Sequence, residues 1–367
     1  MIMTGKKPKI AIIFPKDSIG FFLTKSSDSF GGATVQLHQI ASEMHSLKCD
    51  LLCLIPNSSE LSERLHVSYP FIEPYKKQSF FIVKIFGVLR VIKQNSPDFV
   101  LQRGLTFSSI LFSLFSKMFG IKFVFMFAHD IETKGYYQNS RRKAWFFRLM
   151  LESSYRLICQ SDVQRMNIPP KYLEKVFIVK KGIKVDKTDY SRKNKVYDAS
   201  WIGRCEKWKN PNNFISIAKS NPNMKFLMVC SKIGSELKFF ESIKEQSLKV
   251  SNLDFFETAP NSQIKKFLSM SKTLCITSDM EGDWPMTVLE ASSLGLPIIS
   301  LYFDNDDFLE KHNGGYFCKG SLEILNEKLK KLIKSQKDYD NKSKASRHYA
   351  LQNYDLRKNV TLLLDAL

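Results

Sequence analysis

Ser278-Asp-Met-Glu-Gly-Asp-Trp-Pro-Met-Thr-Val-Leu-Glu-Ala-Ser-Ser-Leu-Gly-Leu-Pro297 is the stretch on which the fold turns. The apolar run Thr273-Leu-Cys-Ile-Thr277 before it reads as a buried strand. A loop with Gly282 and Pro285 follows, with Glu281 at its mouth. The pattern then predicts a helix from Thr287 that carries Glu290 in its first turn. A helix start offers unpaired N–H groups and a partial positive charge, which suit phosphate. Carboxylates flanking the loop can accept hydrogen bonds from sugar hydroxyls. Together the parts can hold a sugar nucleotide, with amides for the diphosphate and carboxylates for the two sugar rings. Glu290 has a competing explanation, because Thr287-x-x-Glu290 fits a capping box that only closes the helix start.

Outward from this stretch, apolar runs alternate with segments of helical period. Strands are predicted at 10–14, 50–55, 99–102, 122–127, 156–160 and 176–179, with helices at 33–46, 80–94, 108–119 and 140–154. A second series has strands at 198–202, 225–230, 253–256, 273–277 and 297–300, with helices at 212–220, 236–245, 262–270 and 287–293. Repeated strand–helix–strand order on either side of a break implies two parallel-sheet domains with ligands at the strand carboxyl ends. The break at 180–196 lacks an apolar face, and a hinge there would place the site in a cleft between the domains. Beyond Gly320 the chain reads as charged helix to Leu367.

With 367 residues the chain has room for two cores. Fifty-five Lys and Arg against 36 Asp and Glu give a net charge of +19, which points to an anionic partner: a nucleotide diphosphate, a nucleic acid or an acidic membrane. Seven scattered cysteines without Cys-x-x-Cys suit reduced core residues of a cytosolic protein rather than a disulfide frame or zinc site. The apolar run at 10–14 is too short for a signal peptide, and 105–127 is broken by Lys117, Gly120 and Lys122 as a membrane span.

Other candidates for chemistry lie at strand ends. Gly31-Gly32 follows the first strand and lets backbone approach a ligand, as many plain turns also do. Gly203-Arg204 ends a strand, with Lys209 five positions on, a spacing that can clamp a diphosphate or simply form a solvated basic loop. His129 ends the fourth strand at the cleft edge, where it can shape a site or serve structure alone. Asp304-Asn-Asp-Asp307 has no partner His and reads as a solvated loop or helix start. The segments 80–94 and 140–151 mix Lys and Arg with aromatic and aliphatic residues, a pattern for an anionic membrane surface or for core helices with a basic outer face.

Taken in order, these residues resemble the retaining glycosyltransferases of family 4, glycosyl transferases group 1. Gly31-Gly32 is similar to the family's glycine loop, and His129 to its His after a strand. Gln160-Ser161-Asp-Val-Gln164 resembles the segment before the crossover, and Lys181-Gly182-Ile183 the hinge, with Lys where Asn is common. Gly203-Arg204 with Lys209 resembles the diphosphate pair, and Glu281 with Glu290 the paired-Glu signature. The two Glu lie nine positions apart where the family has eight, so one residue, Asp283 or Trp284, is extra in the loop.

The resemblance implies an α/β GT-B fold, two Rossmann-like domains facing a cleft. It implies an acceptor domain at 1–185, a donor domain at 186–350 and a C-terminal helix at 351–367 crossing back to the first. Arg204 and Lys209 would neutralise the donor diphosphate as it leaves. The loop amides from Gly282 through Asp283, Trp284, Pro285 and Met286 to Thr287, with Gly203, would hold phosphate and sugar hydroxyls. Glu290 would bind the nucleotide ribose and Glu281 the donor sugar. Gly31 and Gly32 would approach the phosphates from the other domain, and His129 would lie beneath the transferred sugar. No cofactor and no metal is implied. The acceptor would be a glycan, lipid-linked, in bacterial surface-polysaccharide synthesis, with the enzyme cytoplasmic or peripheral on the inner face of the membrane. The rivals are a GT-B-like protein that only binds glycan or a partner, and a nucleic-acid-binding protein, for which the chain has no recognition motif.

Overall fold

The computed structural model describes residues 8–22, 31–57, 66–76, 78–133, 140–184, 195–259, 261–279, 281 and 283–367. Most of the segment read as the break lies outside them, as does Gly282. The chain forms two compact units, Met1–Lys184 with Leu356–Leu367, and Val185–Asp355.

The first unit is built on seven parallel strands: β1 (Lys9–Ile13), β2 (Asp50–Leu54), β3 (Phe71–Ile72), β4 (Phe99–Arg103), β5 (Lys122–Met126), β6 (Arg156–Cys159) and β7 (Val176–Ile178). Their order is β3-β2-β1-β4-β5-β6-β7. Helices α1 (Ile19–Phe22), α2 (Gly32–Ser46), α3 (Phe81–Asn95), α4 (Phe107–Met118), α5 (Arg141–Ser153) and α6 (Asp162–Met166) join them. Strand β4 is buried at every position and opens with the apolar run Phe99-Val-Leu101, because a parallel sheet is covered on both faces. Val100, Phe123, Phe125 and Leu157 of the sheet meet Val88, Phe112 and Met150 of the helices in one core.

The second unit has six parallel strands: β8 (Ala199–Arg204), β9 (Phe226–Ser231), β10 (Leu253–Phe256), β11 (Leu274–Ile276), β12 (Ile298–Ser300) and β13 (Gly315–Phe317). Their order is β10-β9-β8-β11-β12-β13. Helices α7 (Pro211–Lys219), α8 (Leu237–Leu248), α9 (Asn261–Ser269), α10 (Met286–Ser293), α11 (Leu322–Lys334) and α12 (Gln336–Asn353) complete it around a core of Trp201, Phe214, Phe226, Phe240 and Cys275.

The charged helical tail consists of three helices. The last, α13 (Leu356–Ala366), returns to the first unit and packs on α2. Leu356 N–H donates to the Ile183 carbonyl at 3.0 Å, and Asn359 Nδ2 donates to the Lys181 carbonyl at 2.8 Å. A Cβ on Gly182 would lie 2.7 Å from the Leu356 Cα, so only glycine lets this helix start so close. Of the cysteines, Cys49 is half-buried and the other six are buried, and none is in a disulfide. No helix among the described residues is long and apolar enough to cross a membrane.

Candidate active site

In an open parallel sheet, ligands bind beyond the strand carboxyl ends where the strand order reverses. In the second unit that point lies between β8 and β11. Gly203 and Arg204 end the first of these strands, and Thr277 to Glu281 follow the second.

The two strand ends are tied together by their own side chains. Trp201 Nε1 donates to Thr277 Oγ1 at 2.9 Å, and Thr277 Oγ1 donates to the Lys209 carbonyl at 2.7 Å. Asp279 N–H donates to the Trp208 carbonyl at 3.0 Å. This frame brings Lys209 Nζ to 2.7 Å from Glu281 Oε1, although 72 positions separate them in the chain. Ser278 Oγ donates to the same carboxylate oxygen at 2.9 Å. The Lys209 and Glu281 side chains are only 13% and 8% exposed, so the pair is largely withdrawn from water. Lys209 Nζ also lies 4.1 Å from the Trp208 ring centre, a cation–π contact.

Arg204 has its own carboxylate partner. Its Nη2 lies 3.0 Å from Glu206 Oε1, and its side chain is 40% exposed. Gly203 has a packing reason to be glycine: a Cβ there would meet the Trp201 ring at 3.3 Å and Lys209 Cδ at 3.4 Å.

Helix α10 begins at Met286 with Pro285 as its N-cap and no side-chain cap. The capping-box reading of Glu290 fails here, because Glu290 lies beyond the first turn and its carboxylate accepts no hydrogen bond from a described residue. Pro285 has no N–H, and the Val288 and Leu289 amides bond its carbonyl. Met286 and Thr287 thus supply the amides left open at the helix start. Burial pushes the Glu290 carboxyl up to about 7, while Lys265 pulls it down. A carboxyl raised in this way holds a proton that the unfolded chain releases from about pH 4.5 upward. The stability it contributes therefore falls as pH rises from about 4.5 to about 7 and stays lost above that. Glu290→Gln is expected to remove that slope and to be more stable than the parent at pH 8, on the order of 1–3 kcal/mol. Thermal unfolding of both proteins from pH 5 to 8 reads this directly, and parallel slopes would refute it.

Trp284 in this loop has a structural use. Trp284 is fully buried. Its ring lies 4.8 Å from Phe303 and 5.6 Å from Phe308, and its Nε1 donates to the Asn305 carbonyl at 3.1 Å. Its backbone N–H donates to Asp283 Oδ1 at 2.7 Å. Trp284 is therefore an anchor whose side chain is spent on the core rather than on a ligand. Asp283 lies close enough to the buried phenols of Tyr349 and Tyr354 that its charge adds to the upward push burial gives them. Asp304 caps the next turn, its carboxylate accepting the Leu309 and Glu310 amides at 2.8 and 3.0 Å.

In the first unit the order reverses between β1 and β4. Gly31 is the N-cap of α2 and Gly32 its first residue. A Cβ on Gly31 would meet nothing closer than Asp17 Oδ2 at 3.7 Å, so packing does not demand glycine there. His129 is exposed just past β5. The sequence reading missed its support. Glu132 is buried and accepts the Leu105 and Ala128 amides at 2.8 and 2.7 Å. Burial pushes its carboxyl up, and the Leu105, Ala128 and His129 amides and Arg103 oppose this. Beside it Arg103 Nη2 donates to Gln160 Oε1 at 3.0 Å, and Gln160 Nε2 to Gln36 Oε1 at 3.2 Å. Glu206 and Ser278 were also missed. Arg204 and Glu206 sit two apart past a strand end, the one spacing that hinted at a shared face. Among the described residues no group of three or more His, Cys, Asp or Glu could hold a metal ion.

Residues 184–349 match the family described as Glycosyl transferases group 1. Comparison with curated proteins gives no match. Among solved structures, HepE from Anabaena, in complex with UDP-glucose, aligns with 14% identity and a TM-score of 0.73 over 98% of this chain and 100% of that one. Sucrose-phosphate synthase from Thermosynechococcus elongatus aligns with 11% identity and a TM-score of 0.75 over 97% of each chain. A glycosyltransferase from Rickettsia africae aligns with 15% identity and a TM-score of 0.70 over 98% of each. The two sheets and the returning C-terminal helix are thus those of the GT-B fold.

Proposed function

We propose, of a glycosyltransferase whose second unit belongs to the group 1 family, that it moves a hexose from a nucleoside-diphosphate sugar to a lipid-linked glycan in bacterial surface-polysaccharide synthesis, with retention of configuration. Transfer from a nucleotide-sugar donor is what the family match and the fold carry. The acceptor and pathway rest on the basic, aromatic first unit and on analogy. HepE binding UDP-glucose makes a uridine donor the first to try.

The observation that carries the proposal is the juxtaposition of Lys209 and Glu281 at the switch point, beside the open amides of α10. In this reading Arg204 and Lys209 neutralise the diphosphate as it leaves. An ammonium has three protons, so Lys209 can keep Glu281 and still donate to phosphate oxygen. The Met286 and Thr287 amides hold the second phosphate at the positive end of the helix. Glu281 accepts donor-sugar hydroxyls and Glu290 those of the ribose.

Chemically, the bond from the anomeric carbon to the diphosphate oxygen breaks, and the acceptor hydroxyl bonds that carbon on the same face. Its proton passes to the departing phosphate oxygen, so no protein nucleophile is required. The test is release of nucleoside diphosphate when the purified chain meets UDP-, GDP- and ADP-hexoses. Turnover of one base series is expected, whereas binding without turnover of any would leave a glycan- or nucleotide-binding protein in its place.

A further inference from the structure

Among the described residues, the first unit exposes an apolar face. Helix α3 is buried at Ile85, Val88, Val91 and Ile92, as a core helix should be. Its opposite side is apolar too: Ile82 is 66% and Phe86 67% exposed, and Phe80 at its N-cap 86%. Apolar side chains turned to water beside the cations of the same helix are the mark of a helix that lies at an interface. Between α3 and α4 runs a groove of about 400 Å³ lined by Ile82, Phe86, Leu111, Leu114, Phe115 and Met118, with Met118 72% exposed. The apolar surface continues across the three helices through ring contacts. Phe81 meets Phe107 at 6.0 Å, Phe107 meets Phe146 at 5.4 Å, and Phe146 meets the exposed Trp145 at 5.0 Å.

The same three helices are strongly basic. They carry Lys84, Arg90, Lys93, Lys117, Arg141, Arg142, Lys143 and Arg148, against the single carboxylate Glu152, whose charge is met by Lys171. All of these cations except Lys84, which is half-buried, are exposed. Apolar side chains flanked by Lys and Arg are the composition of a surface that lies in the headgroup boundary of an anionic bilayer. A second copy of the chain fits poorly, since apposing these basic helices with themselves would set like charges against like.

We infer that α3, α4 and the first turns of α5 form a membrane-docking face that seats Phe80, Ile82, Phe86 and Met118 among the lipids of an anionic bilayer. The sequence pattern marked α3 and α5 for such contact. The structure adds α4, whose groove with α3 could not be read from either segment. The face lies wholly within the first unit and does not depend on the donor site.

The test is flotation of the full chain with vesicles of phosphatidylcholine alone and with about one-third phosphatidylglycerol. Binding to the anionic vesicles only is expected, weakened as salt screens the cations. Ile82→Ser/Phe86→Ser/Met118→Ser should weaken it about a hundredfold by removing inserted apolar area. Arg141→Gln/Arg142→Gln/Lys143→Gln should weaken it to a similar degree, roughly fivefold for each cation removed. Both sets are surface changes, so unfolding temperature and nucleoside-diphosphate release should match the parent. No binding to either vesicle, equal binding to both, or a dimer in sedimentation that the apolar set abolishes without vesicle binding would each overturn the inference.

Discussion

Lys209→Ala is expected to lower nucleoside-diphosphate release from the sugar donor by about 10²–10³-fold, the loss typical of removing one preorganised donor to a developing anion. The parent residue is held ready for that task. Its ammonium is 2.7 Å from Glu281, its stem passes over Gly203, and its carbonyl is fixed by Thr277. The substitution also does something purely structural, since it leaves the Glu281 carboxylate, 8% exposed, without its cation. Breaking a withdrawn ion pair from one side is more harmful than removing both partners. Two effects are thus mixed in the single variant, and a second variant separates them. Lys209→Ala/Glu281→Ala is expected to recover most of the lost unfolding temperature and none of the lost turnover. Recovery of turnover in the double variant would mean that Lys209 acts only by satisfying Glu281.

Trp284→Ala is expected to destabilise the second unit by about 3–5 kcal/mol, the range for truncating a fully buried aromatic ring. At roughly 2–4 °C per kcal/mol for a unit of this size, the transition should fall by about 6–20 °C. The ring is wedged between Phe303 and Phe308, and its N–H is spent on the Asn305 carbonyl, which the variant leaves unpaired. The loop it anchors carries Glu281 on one side and the start of α10 on the other. Donor affinity should therefore weaken along with stability. Trp284→Phe keeps the apolar bulk and should restore most of the stability. Differential scanning calorimetry of the three proteins decides it, and an unshifted transition in the alanine variant would show that Trp284 is not an anchor.

The alternation of strands and helices was legible because every central strand is a short run buried on both faces. Strands such as 50–55 and 122–127 needed no more than their apolar side chains to be seen. β3 and β13 were not seen. One is two exposed residues and the other three residues opened by Gly315, both at sheet edges, where too few positions exist for a period to show. At the site, residue types at strand ends were readable and their pairings were not. That Lys209 meets Glu281 follows from β8 and β11 lying side by side, which is a property of the sheet order. Glu290 illustrates the limit of local motif reading. Thr287-x-x-Glu290 has the capping spacing, yet Pro285 takes the cap position and shifts the helix start to Met286. Trp284 and Asp283 were legible as an extra residue but not as an anchor, because their partners Phe303, Phe308 and Tyr354 lie 19 or more positions away.

The central claim is that Arg204 and Lys209 grip a pyrophosphate. Its most direct test is calorimetric titration of the parent and of Arg204→Ala/Lys209→Ala with a nucleoside diphosphate and with the matching monophosphate. The parent should prefer the diphosphate by at least about tenfold, or roughly 1.4 kcal/mol, and the double variant should bind the two alike. A double variant that keeps the full preference, or a parent that shows none, would contradict it.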